Sequence, residues 1–232
     1  MRNKILALIA SFCFIVFSFL TVVDFCCFDR SFYTKEHNSI LLGNKHIADY
    51  IGVSDENLSK ITDVTLDYLR DRNKTLDLKL EVNGTEREIF TDYEKEHMVD
   101  VRNLYLNAMT VRNISLIIMV ISLGLLIYFN KKDSLFYITK YYPVALIVSL
   151  FIICCLGVAI FTNFDAFWNS FHHVFFSGNE LWILDLSKDI LIMIVPPEFF
   201  NHLVVRIVLM FFTILTITGI LCYIYKKKAK YD

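Results

Sequence analysis

Four stretches of this chain are apolar over lengths that match the hydrocarbon core of a bilayer: residues 5–28, 113–129, 143–161, and a run that opens at Pro196-Pro197 and continues to about residue 225. In lipid every backbone N–H and C=O must be paired within the segment, so each stretch is expected to be a helix. The second is short unless residues 108–111 contribute to it. Hydrophobic residues make up 56% of the chain and only three are Pro, which sets aside ordinary soluble packing. A formal net charge of −1 gives no basic surface, so a nucleic-acid partner has no electrostatic support. All six cysteines fall in or at the ends of apolar runs: Cys13, Cys26, Cys27, Cys154, Cys155 and Cys222. That placement argues against a disulfide framework outside the membrane and against zinc held by paired cysteines.

Orientation follows from the basic residues. The amino terminus, the connection 130–142 and the tail after the fourth span hold Arg2, Lys4, Lys131, Lys132, Lys140, Lys226, Lys227, Lys228 and Lys230, opposed only by Asp133 and Asp232. By the positive-inside rule both termini are expected to be cytoplasmic. Arg2 and Lys4 before a run this long, with no small-x-small cleavage site, read as a signal anchor. The fold class expected is therefore an α-helical polytopic membrane protein with four transmembrane helices. Its segments run 1–28, 29–112, 113–129, 130–142, 143–161, 162–202 and 203–232. Loops 29–112 and 162–202 share the outer side and form a small α+β extracytoplasmic region.

Within the first loop, Ser54 caps an expected helix to residue 72 whose stripe is Leu58, Ile61, Thr65, Tyr68 and Leu69. Leu76, Leu78, Leu80 and Val82 alternate with charged residues before Asn83-Gly84, which predicts a strand entering a tight hairpin, with TEREIF as the return. A second helix begins near Thr91, with acidic residues in its first turns. It carries His97 and, one turn on, Asp100, a spacing that lets a carboxylate orient an imidazole. In the second loop the aromatic stretch is followed by a turn, a strand and a second turn before the fourth helix.

The stretch 164–176, FDAFWNSFHHVFF, places Phe164, Phe167, Trp168, Phe171 and Phe175 on one helical face, and His172 falls on it too. A hydrogen-bonded core histidine is the plainer reading of such a residue. The sharper one joins it to His97 on the other outer loop, since two imidazoles suffice for acid–base catalysis near neutral pH. A metal site built from His97, Asp100, His172 and His173 competes, although His172 and His173 point about 100° apart on a helix. The G-x-S-x-G, Walker and HExxH patterns are absent.

EHMVDV at 96–101, FHHVFF at 171–176, ELWILD at 180–185, DILI at 189–192 and PEFF at 197–200 stand in an order that resembles the bacterial DUF1461 family of four-span membrane proteins, the lipoprotein intramolecular transacylases. The resemblance implies transfer of the sn-2 acyl chain of an S-diacylglyceryl cysteine, at a lipoprotein's amino terminus, to that cysteine's own α-amino group. The product is a lyso-form lipoprotein. It implies His97 and His172 as the catalytic pair, with His173 secondary, no cofactor and no metal. The partners implied are the diacylglyceryl-modified lipoprotein and membrane phospholipids, and the place is a bacterial cell membrane with the site on its extracytoplasmic face.

Such a reaction needs an α-ammonium group to lose a proton before attack and the departing alkoxide to gain one. Asp100 is the expected orienter of His97, and Trp168, Phe171, Phe175 and Trp182 are expected pocket walls. Arg102 and Asn169 are the candidate oxyanion donors. If the His97 helix ran straight into the second span, His97 would stand roughly 20 Å above the apolar boundary at 1.5 Å per residue. A bend near Asn113 is the expectation that relieves this. A membrane-embedded metallohydrolase and a non-enzymatic binding or complex subunit remain the alternatives.

Overall fold

The computed structural model describes residues 1–228. The chain forms two compact units. The first comprises Met1–Asp24, Ala108–Phe167 and the described residues from Arg206 on; the second comprises Phe25–Asn107 and Trp168–Val205.

Four helices are long and apolar enough to cross a membrane: α1 (Arg2–Cys27), α5 (Asp92–Asn130), α6 (Ser134–Thr162) and α9 (Pro197–Lys228). The first unit is built from α1, α6 and the apolar parts of α5 and α9. Small residues Ala7, Ala10 and Ala145 are buried there beside Leu126 and Leu215, the pattern that lets backbones approach where lipid offers no hydrophobic drive. Several polar groups inside the unit are paired. Ser11 Oγ donates to the Ala7 carbonyl at 2.7 Å, Tyr142 and Thr218 share a hydroxyl hydrogen bond of 2.5 Å, and Arg112 meets Asp24 at 3.1 Å. Ile117, Val120, Ile121, Phe151 and Phe161 are exposed on the unit's outside, the surface a bilayer covers.

Two extents differ from the sequence reading. The third spanning helix starts at Ser134, directly after a 3-10 turn at Lys131–Asp133, and carries Pro143 inside it instead of at its start. Helical structure also runs through Asn113 without interruption. Any bend there is a curvature of a continuous helix, since no turn breaks it.

The second unit opens with α2 (Arg30–Ser39), whose cap Asp29 accepts from the Ser31 N–H at 3.0 Å. A two-residue hairpin, β1 (Leu41–Leu42) and β2 (Lys45–His46), leads to α3 (Ile47–Ile51) and the left-handed Gly52, at φ +84°. Ser54 caps α4 (Asp55–Leu69) as expected, its hydroxyl accepting from the Asn57 N–H at 3.1 Å. Leu58, Ile61, Thr65, Leu66 and Tyr68 are the buried face. The hairpin follows as β3 (Lys79–Val82) and β4 (Thr85–Glu88), paired antiparallel with Val82 opposite Thr85. Asn83 and Gly84 both have positive φ, the geometry of the two-residue turn that matches strand twist. The Asn83 N–H donates to the Gly52 carbonyl at 2.8 Å, tying the hairpin to the end of α3.

Helix α7 (Phe164–Phe175) ends in this unit, and turns and loop follow it. The strand expected in this second loop is not there; the segment folds as turns and then α8 (Ile190–Ile194). Ile190, Leu191, Met193 and Ile194 are all buried at helical spacing, which a half-exposed strand of period two cannot achieve. Pro197 is the first residue of α9, where its missing N–H is harmless. Phe199 sits fully buried against Phe32, Tyr33 and His37 and closes this core.

Candidate active site

The first turn of α5 is fixed by Thr91 and Glu94. The Glu94 N–H donates to Thr91 Oγ1 at 3.2 Å, while Glu94 Oε2 accepts from the Thr91 N–H at 2.8 Å and the Thr91 hydroxyl at 2.9 Å. This is the reciprocal capping box. The other oxygen, Oε1, accepts from the Leu191 N–H at 2.8 Å, so a carboxylate with no solvent exposure joins the start of α5 to the start of α8. One turn along α5 stands His97.

His97 lies outside the apolar part of α5 and is only 7% exposed. Its ring faces that of His172, with centroids 6.4 Å apart and planes 31° from parallel, and packs edge-on against Phe176 at 5.5 Å. That spacing leaves room for one small polar group between the rings. His97 Nδ1 is buried without a hydrogen-bond partner among the described residues. Burial pushes the imidazole pKa down to about 4, the His172 charge adds to the effect, and Asp100 opposes it. His97 is thus a neutral imidazole at physiological pH.

His172 is equally buried, near the carboxyl end of α7. Its Nδ1 lies 2.9 Å from the Trp168 carbonyl. A carbonyl only accepts, so Nδ1 carries the proton and Nε2 is left with the lone pair. Trp182 stacks on the ring at 4.8 Å, Trp168 meets it edge-on at 4.7 Å, and Phe171 and Phe176 stand at 5.6 and 5.5 Å. Burial again lowers the pKa, His173 lowers it further, and the Trp168 carbonyl works the other way.

The remaining expected site residues divide sharply. Trp168, Phe171 and Trp182 do wall His172. Phe175 does not close the pocket: it touches Phe171 at 4.7 Å but is more than half exposed, because α7 ends there. The next residue, Phe176, whose N–H still reaches the His172 carbonyl at 2.8 Å, turns inward and packs against both histidine rings in its place. His173 is exposed with its edge toward Trp182 at 5.1 Å, and Asn169 is exposed. Arg102 is held over the Tyr68 ring at 4.5 Å and 3.7 Å from Asp71, which engages it against α4 instead of as an oxyanion donor. Asp100 does not hydrogen-bond to His97; its Oδ2 accepts from Asn179 Nδ2 at 2.9 Å. Among the described residues, no three His, Cys, Asp or Glu side chains come together as metal ligands would.

Phe176, Phe200 and Glu94 were not expected at the site. Phe200 backs Trp168 at 4.5 Å. Only Glu94 had a readable signal, since Thr91-x-x-Glu94 is a capping-box spacing; that its second oxygen holds another loop is a tertiary fact.

Fold and site together define an integral membrane protein that holds a buried pair of imidazoles walled by aromatic rings. The family model of the lipoprotein intramolecular transacylase Lit matches residues 8–200. The chain belongs to that family and is an acyltransferase. Among solved structures it is similar to the membrane integral lipoprotein intramolecular transacylase Lit from Bacillus cereus, at 23% identity and a TM-score of 0.75 over 99% of this chain and 97% of that one. It is also similar to two variants of that protein, in which one histidine is replaced by arginine or by alanine. These have TM-scores of 0.69, identities of 23% and 22%, and cover 99% of this chain and 93% and 96% of theirs. A comparison with curated protein sequences gives no match.

Proposed function

We propose that this transacylase moves the sn-2 acyl chain of an S-diacylglyceryl-cysteine lipoprotein to the cysteine's own α-amino group, with His97 and His172 as the acid–base pair. The observation that carries this is the pair itself: two neutral imidazoles from different loops, 6.4 Å apart and shielded from water by Trp168, Phe171, Phe176 and Trp182.

The tautomer of His172 favours it as the first base. Its Nε2 lone pair takes a proton from the α-ammonium group, and the freed amine attacks the ester carbonyl to give a tetrahedral intermediate. That intermediate collapses by breaking the bond to the glyceryl oxygen, and the departing alkoxide takes a proton from an imidazolium of the pair. The nitrogen of the intermediate gives its second proton to the other imidazole, so an amide replaces an ester; of the two protons the ammonium nitrogen loses, one ends on the glyceryl oxygen and the other leaves to solvent, which returns both histidines to their neutral starting state. Because amine and ester belong to one molecule, much of the advantage lies in holding them together in a dry pocket. The basic residues at the ends of the spans support a site on the extracytoplasmic face, with phospholipid acyl chains around the substrate.

The test is mass spectrometry of a lipoprotein amino-terminal peptide from a host that makes only the diacylglyceryl form. Expression of this chain should yield the N-acyl, monoacylglyceryl peptide, and His97→Ala and His172→Ala should not. Full conversion by either variant, correctly folded in the membrane, would sink the assignment.

A further inference from the structure

Resting on that reading, the geometry points to Asp100 as a positioning residue that acts through Asn179 and Trp182 on His172, and not through its charge on His97.

The loop between α7 and α8 is fastened to the first turns of α5 at three places. Tyr93 donates its hydroxyl to the Glu180 carbonyl, Glu94 accepts from the Leu191 N–H at 2.8 Å, and Asp100 accepts from Asn179 at 2.9 Å. The Asp100 tie lies beside the reactive ring. Asn179 uses both ends of its amide: Nδ2 donates to Asp100, and Oδ1 accepts from the Leu181 N–H at 3.1 Å. The residue after Leu181 is Trp182, whose indole stacks on the His172 ring at 4.8 Å and 27°. A continuous path of hydrogen bonds and one ring contact therefore runs from Asp100 to the face of His172. Asn179 and Glu180 are exposed, and the turn 176–181 around them holds a glycine at φ +122°, so little else pins this stretch. Helical spacing alone puts Asp100 beside His97; the loop, and not the imidazole, takes its hydrogen bond.

The two roles respond differently to substitution. An anchor needs an oxygen that accepts from Asn179, which Asp100→Asn keeps. A charge acting on His97 is lost equally in Asp100→Asn and Asp100→Ala. The experiment uses the full chain reconstituted in bilayers, with a diacylglyceryl lipopeptide as substrate. Asp100→Ala and Asn179→Ala should each lower kcat by about five- to tenfold with KM little changed, and the double variant should be no worse than either. Asp100→Asn should stay within about twofold of the parent. In a Trp168→Phe background, where Trp182 is the remaining tryptophan, both alanine variants should make its fluorescence more open to acrylamide, and Asp100→Asn should not. An Asp100→Asn variant as impaired as Asp100→Ala, a multiplicative double variant, or unchanged acrylamide access would overturn the assignment. Conversion retained by His172→Ala would overturn the underlying acid–base reading instead, while the acrylamide measurement, which needs no turnover, would still decide the anchor.

Discussion

Replacing Glu94 by Gln keeps the shape of a fully buried side chain and changes only its hydrogen-bonding capacity. In the native protein three donors point at its two oxygens: the Leu191 N–H on one, the Thr91 N–H and hydroxyl on the other. A glutamine has one oxygen and one NH2 group. If the oxygen faces Thr91, the Leu191 N–H meets another donor; if it faces Leu191, the Thr91 N–H does, while the hydroxyl can turn to accept. Either way one buried backbone N–H loses its acceptor, at about 1–3 kcal/mol, and the surviving bonds lose the strengthening that an ionised acceptor gives. The negative charge that suits the start of a helix goes as well, a smaller loss of about 0.3–1 kcal/mol. The sum is about 2–4 kcal/mol, which for a chain of this size corresponds to a fall in Tm of about 5–12 °C. Thermal unfolding of the detergent-solubilised protein, followed by circular dichroism, reads it directly. Lyso-form production should fall as well, because the helix carrying His97 and the loop carrying Trp182 lose a shared tie. A Glu94→Gln protein with the Tm of the parent, to within about 2 °C, would refute the idea that this carboxylate holds the two segments together.

Burial depresses the His97 pKa from 6.5 to about 4, so the unfolded chain binds the proton more tightly; stability is unaffected above pH 6.5 and is lost as pH falls from there to about 4. The His97 share of the loss by pH 4 is about 3 kcal/mol, and His97→Gln should lose that much less than the parent, as paired denaturation curves at pH 7 and pH 4.5 will show. Arg102→Gln and Asn169→Ala should keep lyso-form production within about twofold of the parent, since neither side chain faces the imidazoles; a loss of about a hundredfold would return one of them to the oxyanion role. Gly52→Ala should cost about 1–2 kcal/mol, because its φ of +84° disfavours any Cβ and the added carbon would strike the Asn83 side chain; urea titration measures it.

The apolar runs were legible because lipid leaves a chain one local solution, and their lengths gave the four helices almost without reference to anything else. Ser54 and Asn83-Gly84 were legible for a related reason: a cap and a two-residue turn are satisfied within four residues. The short helix α8 was not, since its five apolar residues suit a buried strand as well as a buried helix, and only the shape of the core chooses. The histidine pair was visible as two motifs on two loops. What each ring touches was not. Asp100 at helical spacing from His97 is as good a partner on paper as Asn179, which lies 79 positions away, and Phe175 and Phe176 are equivalent until the end of α7 is known.

The atom that fixes the tautomer of His172 is a main-chain oxygen, the carbonyl of Trp168. Catalytic histidines oriented by an aspartate can be disabled by one codon change at the carboxylate, but no side-chain substitution at position 168 deletes a carbonyl. So long as this segment stays helical, the proton sits on Nδ1 and the lone pair stays on Nε2 whatever ring or aliphatic group occupies position 168. The orienting part of the site is inherited with the helix itself, which leaves the aromatic residues around it free to vary with the shape of the lipid they must hold.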